Sequence, residues 1–200
     1  MRDRAAPQRP PGRDHDRTMP RLPIRGRQGS VSTRDQQQPA WTVGSARRLA
    51  QWAHFGQRDK ADKAYINHPL RVHDYVLDHP GYEALSDGDK ELAEMSAWLH
   101  DAAEDTRLDV NMLTLMGAPP RLVNIVDVLT RRRSVTPEDY YAAILEDRIA
   151  LIVKECDIRD NTDPHRLAAL PYSVEVRLIG KYAYACAALG LPRSIMGVQP

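Results

Sequence analysis

The chain has little from which several familiar kinds of site are built. Its 200 residues include only two cysteines, Cys156 and Cys186. Neither lies in a CxxC or Cys/His cluster, which excludes a disulfide framework or a structural zinc and suits a reducing cytoplasm. No apolar run approaches the roughly 18 residues of a membrane span, and the N-terminus lacks the apolar stretch of a secretory signal, so no membrane association is expected. A formal net charge of +1 gives no field of one sign for nucleic acid, and the expected partner is a small soluble molecule. No GxxxxGK[ST] loop cradles a phosphate and no Cys/His pair offers a nucleophile. Strand-like alternation is scarce, and no repeat of fixed period occurs.

Residues 1–40 are rich in Arg, Pro, Gln and Gly and have almost no apolar periodicity, so a disordered tail is expected there. From Trp41 the pattern changes to apolar residues at three- and four-residue spacing, which predicts an all-α domain over 41–191, followed by a C-terminal tail over 192–200. Ala46, Leu49, Trp52, Ala53 and Phe55 mark a first helix, with Trp52 and Trp98 read as packing anchors. Leu70, Val72, Val76 and Leu77 mark a second helix, entered through His68-Pro69, where a first-turn proline is tolerated. The stripe Leu92, Met95, Leu99 and Ala102 predicts a third from about Asp87 to Ala103. Further helices are expected behind Pro119-Pro120 and from the Thr136-Pro137-Glu138-Asp139 cap, with a break near Asp147 and a last helix over roughly 174–189.

Chemistry concentrates in Trp98-Leu-His-Asp-Ala-Ala-Glu-Asp-Thr106. His100, Asp101, Glu104 and Asp105 stand at i, i+1, i+4 and i+5, on one face if the helix continues. Three carboxylates beside an imidazole repel one another unless a cation compensates, and a divalent metal does so most simply. The plainer alternative is a solvated acidic helix end. Two further candidates are His68, at the head of the second helix, and Asp157, on a partly buried stripe beside Val153 and Cys156. Their plainer readings are a capping histidine and an aspartate paired with Lys154 or Arg159.

Together with Ala53-His-Phe-Gly-Gln57, Asp59-Lys60, Tyr65-Ile-Asn-His-Pro-Leu70 and Asp157…Asn161, this stretch resembles the hydrolase domain of RelA/SpoT-type alarmone enzymes and related small HD-domain phosphohydrolases. Order and spacing agree over roughly 150 residues. The resemblance implies an HD-domain helical bundle that hydrolyses guanosine 3′,5′-bis(diphosphate) or the pentaphosphate at the 3′-pyrophosphate. It implies His68, His100, Asp101 and Asp157 as metal ligands, Glu104 and Asp105 as the pair that activates water, and Lys60 and Asn161 as contacts to the nucleotide. Two imidazoles and two carboxylates form a mixed N/O set that suits Mn²⁺ better than a closed tetrahedral zinc site, with zinc, iron and cobalt also compatible. His54 is expected to support the site or bind a phosphate without ligating metal, and His73, His79 and His165 are expected at the surface.

Two segments depart from the alarmone-hydrolase pattern. Arg-Lys-x-Gly is replaced by Asp59-Lys60-Ala61-Asp62, and Asp-Arg-Leu-x-Asn by Asp157-Ile-Arg-Asp-Asn161. They leave open an HD phosphohydrolase for another nucleotide, or a nucleotide-binding module without turnover. No room remains for a synthetase domain, so alarmone synthesis is not expected.

Overall fold

The computed structural model describes residues 41–197, and the sequence expectations for the N-terminal tail lie outside them. Among the described residues ten α-helices follow in order: α1 (Val43–Ala53), α2 (Asn67–Leu77), α3 (Asp87–Leu99), α4 (Ala102–Asp105), α5 (Val110–Leu115), α6 (Pro120–Leu129), α7 (Pro137–Leu145), α8 (Arg148–Asn161), α9 (Pro164–Leu167) and α10 (Tyr172–Leu189). A 3₁₀ turn, Arg193–Met196, follows and buries Met196. Among the described residues there is no strand, only an isolated bridge between Arg58 and Ala64. No described helix is long and apolar enough to cross a membrane.

The predicted cap at Thr136 forms, and the predicted break near Asp147 falls at a second cap. Thr136 accepts from the Asp139 amide at the head of α7, with Pro137 in the first turn. Asp147 accepts from the Ile149 and Ala150 amides at the head of α8. The break between α7 and α8 therefore falls where the acceptor side chain stands.

Two apolar clusters share α3 and α6. One gathers Val72, Val76, Ala93, Ile125, Ile144, Val153 and Leu178 around α8, and the other gathers Leu49, Met95, Trp98, Leu99, Leu113 and Leu122 around α1. The helix α3 packs against α1, α2, α6 and α8. Residues just past its C-terminus are thereby held against the heads of other helices. The central α8 is buried on most of its circumference and presents Asp157 and Asp160 among apolar neighbours.

Several expectations need correction. Trp98 is a packing anchor, but Trp52 is 67% exposed and Phe55, beyond the end of α1, is 91% exposed. The buried stripe of α1 runs through Ala46, Leu49 and Ala50, and Trp52 stands about a third of a turn off its centre. On α2 only Val72 and Val76 of the four marker residues are buried; Leu70 and Leu77 are exposed. The third helix stops at Leu99, and the expected continuation to Ala103 is a turn at His100 and Asp101 followed by the separate α4.

Asp147 supplies a stability prediction. Burial would raise its carboxyl pKa, but Arg121 and the two capping amides outweigh burial and hold it below the ordinary carboxylate value. A depressed folded pKa contributes stability that is present above the unfolded value, near 4, and is lost as pH falls through the folded one. Asp147→Ala is expected to cost about 1–2 kcal/mol at pH 7. The gap to wild type should narrow on acidification below about pH 4. Urea unfolding at several pH values measures both, and a gap independent of pH would remove the ion pair from the explanation.

Candidate functional site

The cluster starts from two histidines whose rings are each fixed at Nδ1. His68 lies in the first turn of α2, where Pro69 forms part of the entry. Its Nδ1 is 2.6 Å from Asp160 Oδ2. His100 caps α3, with Nδ1 2.8 Å from the Ala97 carbonyl. A carboxylate and a carbonyl can only accept, so both Nδ1 atoms donate. That turns both Nε2 atoms toward the same place, 3.2 Å apart.

Two carboxylates close the set. Asp101 Oδ2 lies 3.2 Å from each Nε2. Asp157 Oδ1 lies 3.2 Å from His68 Nε2 and 3.8 Å from His100 Nε2. One donor atom from each of the four residues falls within 4.8 Å of every other. This N₂O₂ donor set fits a divalent cation, since two ring nitrogens and two carboxylate oxygens converge while the other ring nitrogens and the second Asp157 oxygen are engaged elsewhere. The plainer reading of Asp157 also holds in part: Lys154 Nζ is 2.7 Å from its Oδ2, and the Asn161 amide donates to its Oδ1.

Electrostatics follow from this crowding. Burial would depress the His100 pKa, but Asp101 and Asp157 prevail and push it up to about 9. His68 is likewise raised well above the usual histidine value, because Asp101, Asp157 and Asp160 outweigh its burial. Burial would raise both carboxyl pKa values, yet His100 and His68 hold Asp101 well below the ordinary range, and Lys154 with the histidines does the same for Asp157.

Glu104 and Asp105 arrive by a different route from the one expected. They do not continue the α3 face; Asp101 caps α4, and its carbonyl accepts from both the Glu104 and Asp105 amides, at 3.2 and 2.9 Å. Both nevertheless line the same cleft as His68, Asp101 and Asp157. Glu104 Oε2 accepts from the Arg131 amide at 3.0 Å. Partial desolvation raises its carboxyl pKa despite that donor.

The cleft encloses about 340 Å³. Lys60 and Asn161 line it, together with Arg58, Arg131, Lys154, Arg166 and Lys181, so an acidic floor is ringed by cations. His54 stands outside the four-residue cluster, buried and stacked on Tyr65 at 4.8 Å, and burial lowers its pKa. His73 and His79 are half-buried beside Glu94 and Glu155, and His165 is exposed. None of these three is in the cluster.

Sequence reasoning missed the parts played by Tyr65 and Asp160, and gave Lys154 only as a pairing partner of Asp157. The Tyr65 hydroxyl lies 2.6 Å from Asp101 Oδ2 and 2.9 Å from Asp105 Oδ2, linking a cluster carboxylate to the neighbouring pair. Lys154 and Asp160 stand three residues either side of Asp157, on its helix face, which is the local signal that could have found them.

No protein-family model and no curated protein sequence matches the chain. Solved structures do match, among them one described as "A metazoan ortholog of SpoT hydrolyzes ppGpp and plays a role in starvation responses". It aligns with a TM-score of 0.59 and 18% identity, over 80% of this chain and 91% of that one. At that identity the likeness is one of fold: the chain has the helical HD-domain fold of that hydrolase, as the motif resemblance implied.

Proposed function

We propose that the chain is a metal-dependent phosphohydrolase that removes the 3′-pyrophosphate from guanosine 3′,5′-bis(diphosphate) or the corresponding pentaphosphate. The observation that carries this reading is the convergence of His68, His100, Asp101 and Asp157, three of which, all but His100, line a cleft ringed by cations. The fold shared with a ppGpp hydrolase supports it further. These four residues would hold the ion, with Mn²⁺ the best match to the donor set. A divalent cation there supplies Lewis-acid charge that makes water more acidic and offsets charge on the phosphoryl oxygens.

The remaining work belongs to the side chains. Glu104 takes the proton of the attacking water, a role suited by its raised pKa. Asp105, tied to Asp101 through the Tyr65 hydroxyl, orients that water. The water oxygen bonds to phosphorus as the bond from phosphorus to the 3′ oxygen breaks, in line and without a covalent enzyme intermediate. Lys60 and Asn161 hold the nucleotide, while Arg131 and Lys181 offset phosphate charge from the cleft wall. Cytoplasmic residence, where two buried cysteines stay as thiols, belongs to the same proposal.

A second reading, hydrolysis of another nucleotide, is favoured by Asp59. Its Oδ1 accepts from the Ala61 and Lys63 amides, both at 2.9 Å. It therefore cannot offer a base the guanidinium that the alarmone-hydrolase pattern has at this place. A panel of nucleotides bearing 5′- and 3′-phosphates and pyrophosphates, assayed for phosphate and pyrophosphate release with and without Mn²⁺, separates the readings. Preference for guanosine 3′-pyrophosphates supports the first. Preference for another nucleotide supports the second, and no turnover of any member by Mn²⁺-loaded protein contradicts both.

A further inference from the structure

Asp160 is fully buried, and a buried carboxylate persists only when it is paired. Its partners come from two other helices, α2 and α9. His68 Nδ1 lies 2.6 Å from Oδ2, while Arg71, one turn along α2, places Nε 2.6 Å from Oδ1 and Nη2 3.2 Å from Oδ2. From α9, Arg166 donates through Nη1 to Oδ2 and, at 2.9 Å, to the Asp160 carbonyl. Arg166 also approaches Asp59 Oδ2, at 3.6 Å. Asp59 in turn gathers the Ala61 and Lys63 amides in the loop that carries Lys60. The two segments that depart from the alarmone-hydrolase pattern therefore meet at one guanidinium.

The geometry points to a positioning role for Asp160: we propose that it holds the His68 ring with Nε2 turned into the ligand cluster and, through Arg166, ties that ring to the loop carrying Lys60. The proposal rests on the reading of the cluster as a metal centre. Two guanidiniums alone would satisfy a buried carboxylate, so structural pairing does not require His68 to share it. The sharing has a consequence for the ring. With Nδ1–H given to an anion, Nε2 is the nitrogen left for a cation, and a ligand imidazole so held is a stronger donor. His100, held by a neutral carbonyl, lacks that reinforcement.

Asp160→Asn keeps the shape and removes the charge. In the full-length chain it is expected to weaken Mn²⁺ binding by about 10–100-fold, measured by competition with a chelator, at unchanged stoichiometry and helix content. An affinity within about threefold of wild type would overturn the positioning role alone. If wild type itself binds no Mn²⁺, the reading of the metal centre fails and this proposal fails with it, so the two failures are distinguishable. A second measurement needs no variant. In Zn²⁺-loaded wild type, nitrogen-correlated NMR should show a downfield, exchange-protected Nδ1–H on His68. A His68 ring that is protonated at Nε2, or that has an exchanging Nδ1–H, overturns the proposal even if Asp160→Asn does not fold.

Discussion

Replacing His100 with alanine is expected to abolish metal binding and hydrolysis together. The ring supplies one of two nitrogens in a four-atom set, and its Nε2 lies 3.2 Å from both His68 Nε2 and Asp101 Oδ2. Losing a cation that stabilises the transition state by several kcal/mol should lower turnover on the order of 10³-fold or more. Asp101→Ala should behave alike. Helix content should survive, because the His100 ring bonds within the protein backbone only to the Ala97 carbonyl. Metal analysis after dialysis, circular dichroism and an activity assay on the same preparations decide the matter. Unchanged metal stoichiometry in either variant would remove the four-residue centre from the account.

Glu104→Gln is expected to spare the metal and cost kcat, on the order of 10²–10⁴-fold, as for a positioned general base. Desolvation raises the Glu104 pKa even though the Arg131 amide opposes the shift. The base form is the active one. Wild-type kcat should therefore fall on the acid side as Glu104 takes up a proton, and that limb should disappear in the variant. Asp105→Asn should cost less and combine less than multiplicatively with Glu104→Gln, because the two residues serve one water. Single-turnover rates with metal content measured alongside provide the test. A Glu104→Gln protein that loses its metal but hydrolyses normally once metal is restored would make Glu104 a ligand or a structural residue.

How far the sequence reveals this site depends on whether the signal is local. The caps at Thr136 and Asp147 are local, since each acceptor lies within three residues of the amides it serves. The four donor residues were legible through the motif resemblance, since His68 and Asp157 taken singly have plainer readings, and the structure brings all four together. The break after Leu99 was not legible. Apolar periodicity runs on to Ala102, which is buried on the far side of the turn, so the stripe hides the interruption. The His100 ring itself engages the carbonyl one turn back, competing with the helical ladder as side-chain acceptors and donors do. Trp52 was misread because spacing from Leu49 alone does not define a face. The short α5 and α9, of six and four residues, span too few turns for periodicity to declare them. Asp160 is legible as a neighbour of Asp157 on one helix face, but its partner His68 is 92 residues away, and no pattern within α8 announces that contact.

The most direct measurement is product identification after Mn²⁺-loaded wild-type protein meets guanosine 3′,5′-bis(diphosphate). The expected products are guanosine 5′-diphosphate and pyrophosphate in equal amounts, formed only with a divalent cation present and not by His100→Ala. Release of orthophosphate in place of pyrophosphate, or turnover that persists in chelator and in His100→Ala, would contradict a metal-dependent attack at the 3′-phosphorus.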